Sequence, residues 1–140
     1  MNIQVMDRQQ AIRYCHQPHQ EETVMISIYT PVQEYHDEPF MSTIIGNGVY
    51  EILRLGFFDV DTDGGITEED AEIIADVIER NRYRNVIVHC DLGASRSVGV
   101  AAALAKFYND DDEKYFSTNG MIPNMRCYRY VLNALHNSEI

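Results

Sequence analysis

Residues 89–97 run His-Cys-Asp-Leu-Gly-Ala-Ser-Arg-Ser, which sets one cysteine and one arginine six positions apart around a glycine. That spacing meets the needs of a phosphate dianion: several inward N–H donors, a cation that grips two oxygens, and a nucleophile beneath the phosphorus. The amides of Asp91, Leu92, Gly93, Ala94, Ser95 and Arg96 can supply the donors if the loop opens a helix, whose N-terminal dipole and unpaired N–H groups favour anions. Gly93 permits the tight turn. Arg96 is always charged, and its planar fork matches two phosphate oxygens where lysine would not. Cys90 is the nucleophile. A free thiol ionises at about 8.5, and one ringed by those amides and Arg96 is expected to be largely thiolate at neutral pH. His89 would order the loop by hydrogen bonding and help lower the thiol pKa, and the Ser97 hydroxyl would stabilise the thiolate as it leaves a phosphoenzyme. The ordinary fate of a free cysteine is burial as a small apolar group. Here the preceding apolar strand, the glycine, the second serine and the following helix together favour the reactive reading.

Such a loop must be delivered by a strand and anchored by a helix. Asn85 to His89 is a compact apolar strand, and Ser97 to Tyr108 reads as a buried helix of small residues. Upstream, Asn2 to Met6 reads as a first strand, Arg8 to Cys15 as a short helix, Thr23 to Tyr29 as a buried β-branched strand, and Tyr50 to Phe58 as a further strand. Between them, residues 33–48 read as a polar loop with a short element over Met41 to Ile45. Thr67 with Asp70 starts a helix to about Arg80, striped by Ala71, Ile74, Ala75 and Ile78. Asp110 to Asp112 reads as a solvated loop, and Pro123 as the first-turn proline of a final helix through Leu135, packed by Tyr128, Tyr130, Val131, Leu132 and Leu135. Alternating strands and helices predict an α/β three-layer sandwich, with a central, largely parallel sheet of four to five strands flanked by helices.

A chain of 140 residues, 45% hydrophobic, predicts one domain over residues 1–140. The longest apolar runs are shorter than the roughly 18 residues of a bilayer span, and no leader pattern opens the chain, so a cytoplasmic, monomeric protein is expected. Formal net charge is −11, which disfavours nucleic acid and anionic membranes as partners; an anionic substrate must be captured locally. Three widely spaced cysteines, Cys15, Cys90 and Cys127, suit neither a disulfide framework nor a metal site.

His89 to Ser97 resembles the HCxxGxSRS signature of the dual-specificity branch of the protein tyrosine phosphatase superfamily, and Val98 to Leu104 resembles that family's loop-anchoring helix. The likeness is close over half of the chain and extends only in general layout to residues 1–49; in size the chain resembles the small bacterial and phage members. The resemblance implies a phosphocysteine intermediate, no metal, no cofactor, and a phosphorylated protein or small aryl phosphate as substrate. Phosphotyrosine is favoured and phosphoserine or phosphothreonine admitted, since no lysine in the loop would serve polyphosphorylated lipids or RNA 5′-triphosphate ends. A catalytically inactive phosphate-binding module is the alternative within the same fold.

Ester cleavage needs a proton for the leaving oxygen and then a base for water, and one carboxyl can serve both steps. In the resembling family this aspartate lies on a loop after a strand ending in an aromatic, about thirty residues before the cysteine. Asp59 follows Phe57-Phe58 and precedes Cys90 by 31 positions, which makes it the choice; Asp61, at 29, is the runner-up. Asp59 to Asp70 also approaches an EF-hand calcium loop, with oxygen ligands at positions 1, 3, 5 and 9 and glycine at 6. Against a calcium-binding module stand Asp70 in place of the bidentate glutamate, a preceding strand rather than a helix, and the lack of a second such loop. His16, His19 and His36 read as surface or loop residues. Cys15 and Cys127 read as small buried groups rather than redox partners of Cys90.

Overall fold

The structure is a computed structural model and describes residues 1–31 and 49–139. The expected loop over residues 33–48, its short element at Met41 to Ile45, and His36 lie outside the described residues. Four strands, β1 (Ile3–Met6), β2 (Thr23–Tyr29), β3 (Val49–Gly56) and β4 (Asn85–His89), form one sheet in the order β1-β4-β2-β3. Every pairing is parallel. The α/β layout is therefore as the alternation of elements predicts. The central position of β2 explains its continuous run of buried residues, since both faces of a parallel sheet are covered.

Side chains alternate across the sheet with period two, which divides the core. On one face Met6, Met25, Val49 and Ile87 pack with Ala11 and Cys15 of α1 (Arg8–Cys15). On the other, Val24, Ile26, Ile28, Val86 and Val88 meet α2 (Glu68–Arg80), α3 (Arg96–Asn109) and α5 (Met125–Ser138). The register brings Met6, His89, Ser27 and Arg54 side by side near the carboxyl ends of the strands. The same row thus presents polar groups directly beneath the turn that follows β4.

Several boundaries differ from the sequence expectation. β3 ends at Gly56 rather than Phe58: Phe57 N–H still reaches Tyr29 C=O at 3.1 Å, but Phe58 N–H turns to Gly64 C=O at 2.9 Å and closes the acidic loop. The helix after the phosphate loop begins at Arg96, not Ser97. Asp110 adopts the left-handed conformation that ends α3, and Asp112 precedes a short helix, α4 (Glu113–Ser117), in place of a plain loop. Pro123 lies ahead of the last helix instead of inside its first turn. The start is marked by Asn124, whose side chain accepts from Cys127 N–H at 3.0 Å, and the helix runs past Leu135 to Ser138.

Helix α3 is buried from Arg96 to Ala105, so its small residues are a packing requirement. At Gly99 an added Cβ would meet Cys127 Cβ at 3.0 Å and press directly on the Asn124 carbonyl oxygen. Gly99→Ala should therefore lower Tm by roughly 3–10 °C, the cost of forcing about one methyl into a filled contact. An unchanged thermal unfolding curve would show that the start of α5 can move aside.

Candidate active site

The loop between β4 and α3 is held from outside by its own carbonyls. Arg8 N–H donates to Asp91 C=O at 3.2 Å, Ile122 N–H to Ala94 C=O at 2.8 Å, and Asn124 N–H to Ser95 C=O at 3.0 Å. In a trans peptide the next residue's N–H points opposite to the carbonyl, so the amides of Leu92, Ser95 and Arg96 are turned toward the loop interior. Gly93 has φ +67, and a Cβ there would lie 2.9 Å from the Met6 and Asp7 backbone. Both conformation and space therefore select glycine. Leu92 is the exception to the loop's enclosure, being 82% exposed at the rim.

Cys90 is buried, with its Sγ 3.1 Å from Ser97 Oγ. Arg96 is also buried: its Nη1 donates to Phe57 C=O at 2.7 Å and its Nη2 to Asp91 Oδ2 at 3.1 Å. Among the described residues its Nε–H is buried without a hydrogen-bond partner. An orphaned, permanently charged donor beside inward-facing amides is the kind of group that a ligand oxygen satisfies.

Beneath Cys90 the sheet row carries a directional hydrogen-bond chain. Arg54, which can only donate, gives a 2.7 Å bond to Ser27 Oγ, and Ser27 Oγ lies 2.5 Å from His89 Nε2. The Cys90 carbonyl can only accept, so His89 Nδ1 carries the ring proton and donates to it at 3.2 Å, and Nε2 of the neutral ring accepts from the Ser27 hydroxyl, which itself accepts from Arg54. Burial pushes His89 down to about 4, against the Cys90 carbonyl bond that favours the cation, and the Arg54 and Arg8 charges add to the effect of burial. A neutral imidazole orders the loop through hydrogen bonds and brings no positive charge to the thiol.

The unfolded imidazole takes up a proton below about 6.5 while the folded one stays neutral to about 4, so protonation favours the unfolded chain across that window. The His89 contribution to stability should fall by about 3 kcal/mol as pH drops from 6.5 to 4. Subtracting the urea-midpoint curve of His89→Gln from that of the wild type should isolate this slope; parallel curves would mean that the imidazole protonates equally well in both states.

The acidic loop reaches the phosphate loop through one residue. Asp59 Oδ1 accepts from Ser95 Oγ at 2.9 Å and from Asn124 Nδ2 at 2.8 Å. Asp61 is directed elsewhere, pairing with Arg129 of α5 at 2.6 Å. Asp70 exchanges hydrogen bonds with Thr67 in the capping box of α2. The residues of the EF-hand-like stretch are thus dispersed over three tasks, and among the described residues no group of His, Cys, Asp or Glu could hold a metal ion.

Cys15 and Cys127 are both buried thiols rather than disulfide halves, Cys15 with its Sγ 3.9 Å from Met25 Sδ. Burial pushes the Cys127 thiol well above the usual range, with the Asp59 charge acting in the same direction. His19 stacks on Tyr14 at 3.6 Å and bonds its carbonyl, and His16 ends α1. Sequence reasoning missed Asn124, Ser27, Thr30, Arg54 and the Phe57 carbonyl. Two of these left a trace: Asn124 after Pro123 is a helix-start signature, and Ser27 is a polar interruption in the apolar run Thr23 to Tyr29.

No protein-family model and no curated protein matches this chain. Solved structures do match. Human DUSP28 aligns over 98% of this chain and 93% of its own, with 15% identity and a TM-score of 0.59. Tk-PTP in its active form aligns over 96% and 90%, at 13% identity and a TM-score of 0.56. The PTP-2 phosphatase of Cydia pomonella aligns over 95% and 85%, at 15% and 0.59. This is the dual-specificity phosphatase fold. Within it, the strand-loop-helix of residues 85–109 lies at the carboxyl edge of the parallel sheet, where ligands of open α/β sheets bind. Among the described residues of this phosphatase-like chain, no helix is long and apolar enough to cross a membrane.

Proposed function

We propose that the chain is a cysteine-dependent phosphatase acting on phosphomonoesters, with a phosphotyrosine side chain or another aryl phosphate as its preferred substrate. The observation that carries this reading is the conjunction at one loop of buried Cys90, 3.1 Å from the Ser97 hydroxyl, and buried Arg96, whose Nε–H has no partner among the described residues. The phosphate sits in the loop, its equatorial oxygens held by the amides and by Arg96. Cys90 Sγ attacks phosphorus in line; the S–P bond forms as the P–O bond to the leaving group breaks. Asp59 gives that oxygen its proton. Because Ser95 and Asn124 both donate to Oδ1, the proton resides on Oδ2, which donates it. The resulting carboxylate takes a proton from water as the water oxygen attacks phosphorus, the S–P bond breaks, and Ser97 O–H donates to the departing thiolate.

Support for an aryl leaving group comes from the rim. Leu92 and Ile122 are 82% and 76% exposed, and Ile122 is tied to the loop through Ala94. Apolar rims favour a ring over a charged headgroup. Residues 89–97 contain no lysine, and their one carboxylate, Asp91, would oppose a polyanionic substrate. PTPMT1, a fold neighbour at 16% identity and a TM-score of 0.56, was solved in complex with PI(5)P; the apolar rim and the Asp91 charge argue for a different substrate here. Release of orthophosphate from an aryl phosphate, lost in Cys90→Ser, is the test.

A further inference from the structure

A phosphate clamp works best if its guanidinium is already held in one plane, because an arginine side chain otherwise loses its rotamer freedom on binding. Arg96 meets two acceptors from behind: Nη1 bonds Phe57 C=O at 2.7 Å and Nη2 bonds Asp91 Oδ2 at 3.1 Å. Asp91 is itself immobilised. Thr30, just after β2, donates to the same Oδ2 at 2.8 Å, and the Asp91 carbonyl accepts from Arg8 N–H at 3.2 Å. The carboxylate does not grip the guanidinium with both oxygens. Asp91 Oδ1 and Arg96 Nε are both buried and without partners among the described residues. Asp91 therefore holds a terminal nitrogen and leaves the Nε–H open.

Resting on the phosphatase reading above, we infer that the Asp91 side chain, anchored by Thr30, is a positioning residue that fixes Arg96 so that its Nε edge is presented to phosphate. The strut lies inside the phosphate loop, and its fixation by Thr30 and by Arg8 N–H distinguishes it from a mobile anion competing with substrate for the clamp. Its charge still repels phosphate, so the sign of the effect decides between the two roles.

The experiment measures the Kd of inorganic phosphate by calorimetry and kcat and KM for an aryl phosphate, with Tm recorded for every variant. Asp91→Asn should weaken phosphate binding by about ten-fold, lowering kcat and raising KM, since Arg96 holds both bound substrate and transition state. Thr30→Val, outside the loop and uncharged, should act in the same direction by about three-fold, and it decides the matter if the Asp91 variant does not fold. In an Arg96→Lys background, where there is no fork to position, Asp91→Asn should cost less than two-fold in kcat/KM. Tighter phosphate binding in Asp91→Asn, wild-type values in both variants, or an undiminished cost in the lysine background would each overturn the strut while leaving the phosphatase intact. A wild-type protein that neither binds phosphate nor turns over the ester would overturn the phosphatase reading itself, and this inference with it.

Discussion

Cys90→Ser should remove turnover of an aryl phosphate, with a loss of at least about 10⁴-fold, and leave the fold in place. The reasoning is steric and chemical. Cys90 is 3% exposed, and its Sγ contacts Ser97 Oγ, so a hydroxyl fits where the thiol was and can keep that hydrogen bond. A serine hydroxyl at that point has no base to activate it: His89 is neutral, but its Nδ1 donates to Cys90 C=O and its Nε2 accepts from Ser27. Loss of a covalent nucleophile leaves only the catalysis due to binding and charge stabilisation. The variant should still bind inorganic phosphate, since Arg96 and the loop amides are untouched. Orthophosphate release and phosphate calorimetry on the same sample check both halves. Wild-type-like turnover in Cys90→Ser would exclude a phosphocysteine route.

Asp59→Asn should lower turnover of esters with poor leaving groups by about 10²–10⁴. The amide keeps the size of the carboxyl and can still accept from Ser95 and Asn124, but it has no proton to give. The same substitution at Asp61 should do far less, because Asp61 is ion-paired to Arg129 on the surface and half exposed, where such pairs contribute about 0–1 kcal/mol. A series of phenyl phosphates with increasingly acidic leaving phenols separates chemistry from disruption. The Asp59→Asn deficit should shrink toward the activated nitrophenyl ester, whose oxygen departs without protonation. An equal deficit along the whole series would make Asp59 a loop anchor, and a larger loss at Asp61 would move the acid there.

The loop of residues 89–97 stood out in sequence as a candidate site because its parts are contiguous. Strand β4, Cys90, the glycine at 93, Arg96, Ser97 and the helix that follows lie within one run of residues 85–109. The same holds for the buried run of β2, the capping box at Thr67 and Asp70, and the stripe of α2, where period and propensity act over single turns. Boundaries slipped where a distant contact decided them. Phe58 leaves the strand because its N–H closes on Gly64, and the last helix begins at Met125 because Asn124 caps it while its own N–H is engaged by Ser95.

By itself, then, the sequence determined the α/β alternation and singled out the loop from Cys90 to Arg96 as the candidate site. Only the tertiary structure decided which aspartate faces that loop, Asp59 through Ser95 and Asn124 rather than Asp61 through Arg129, and which groups hold the clamp and the histidine. Those partners sit 27 to 65 residues apart: Arg54 with Ser27, Ser27 with His89, Thr30 with Asp91, Arg96 with the Phe57 carbonyl, Asn124 with Asp59. A parallel sheet makes such neighbours through register between strands separated by crossover helices, and register is set by the burial of whole faces, so no local spacing in the chain encodes them.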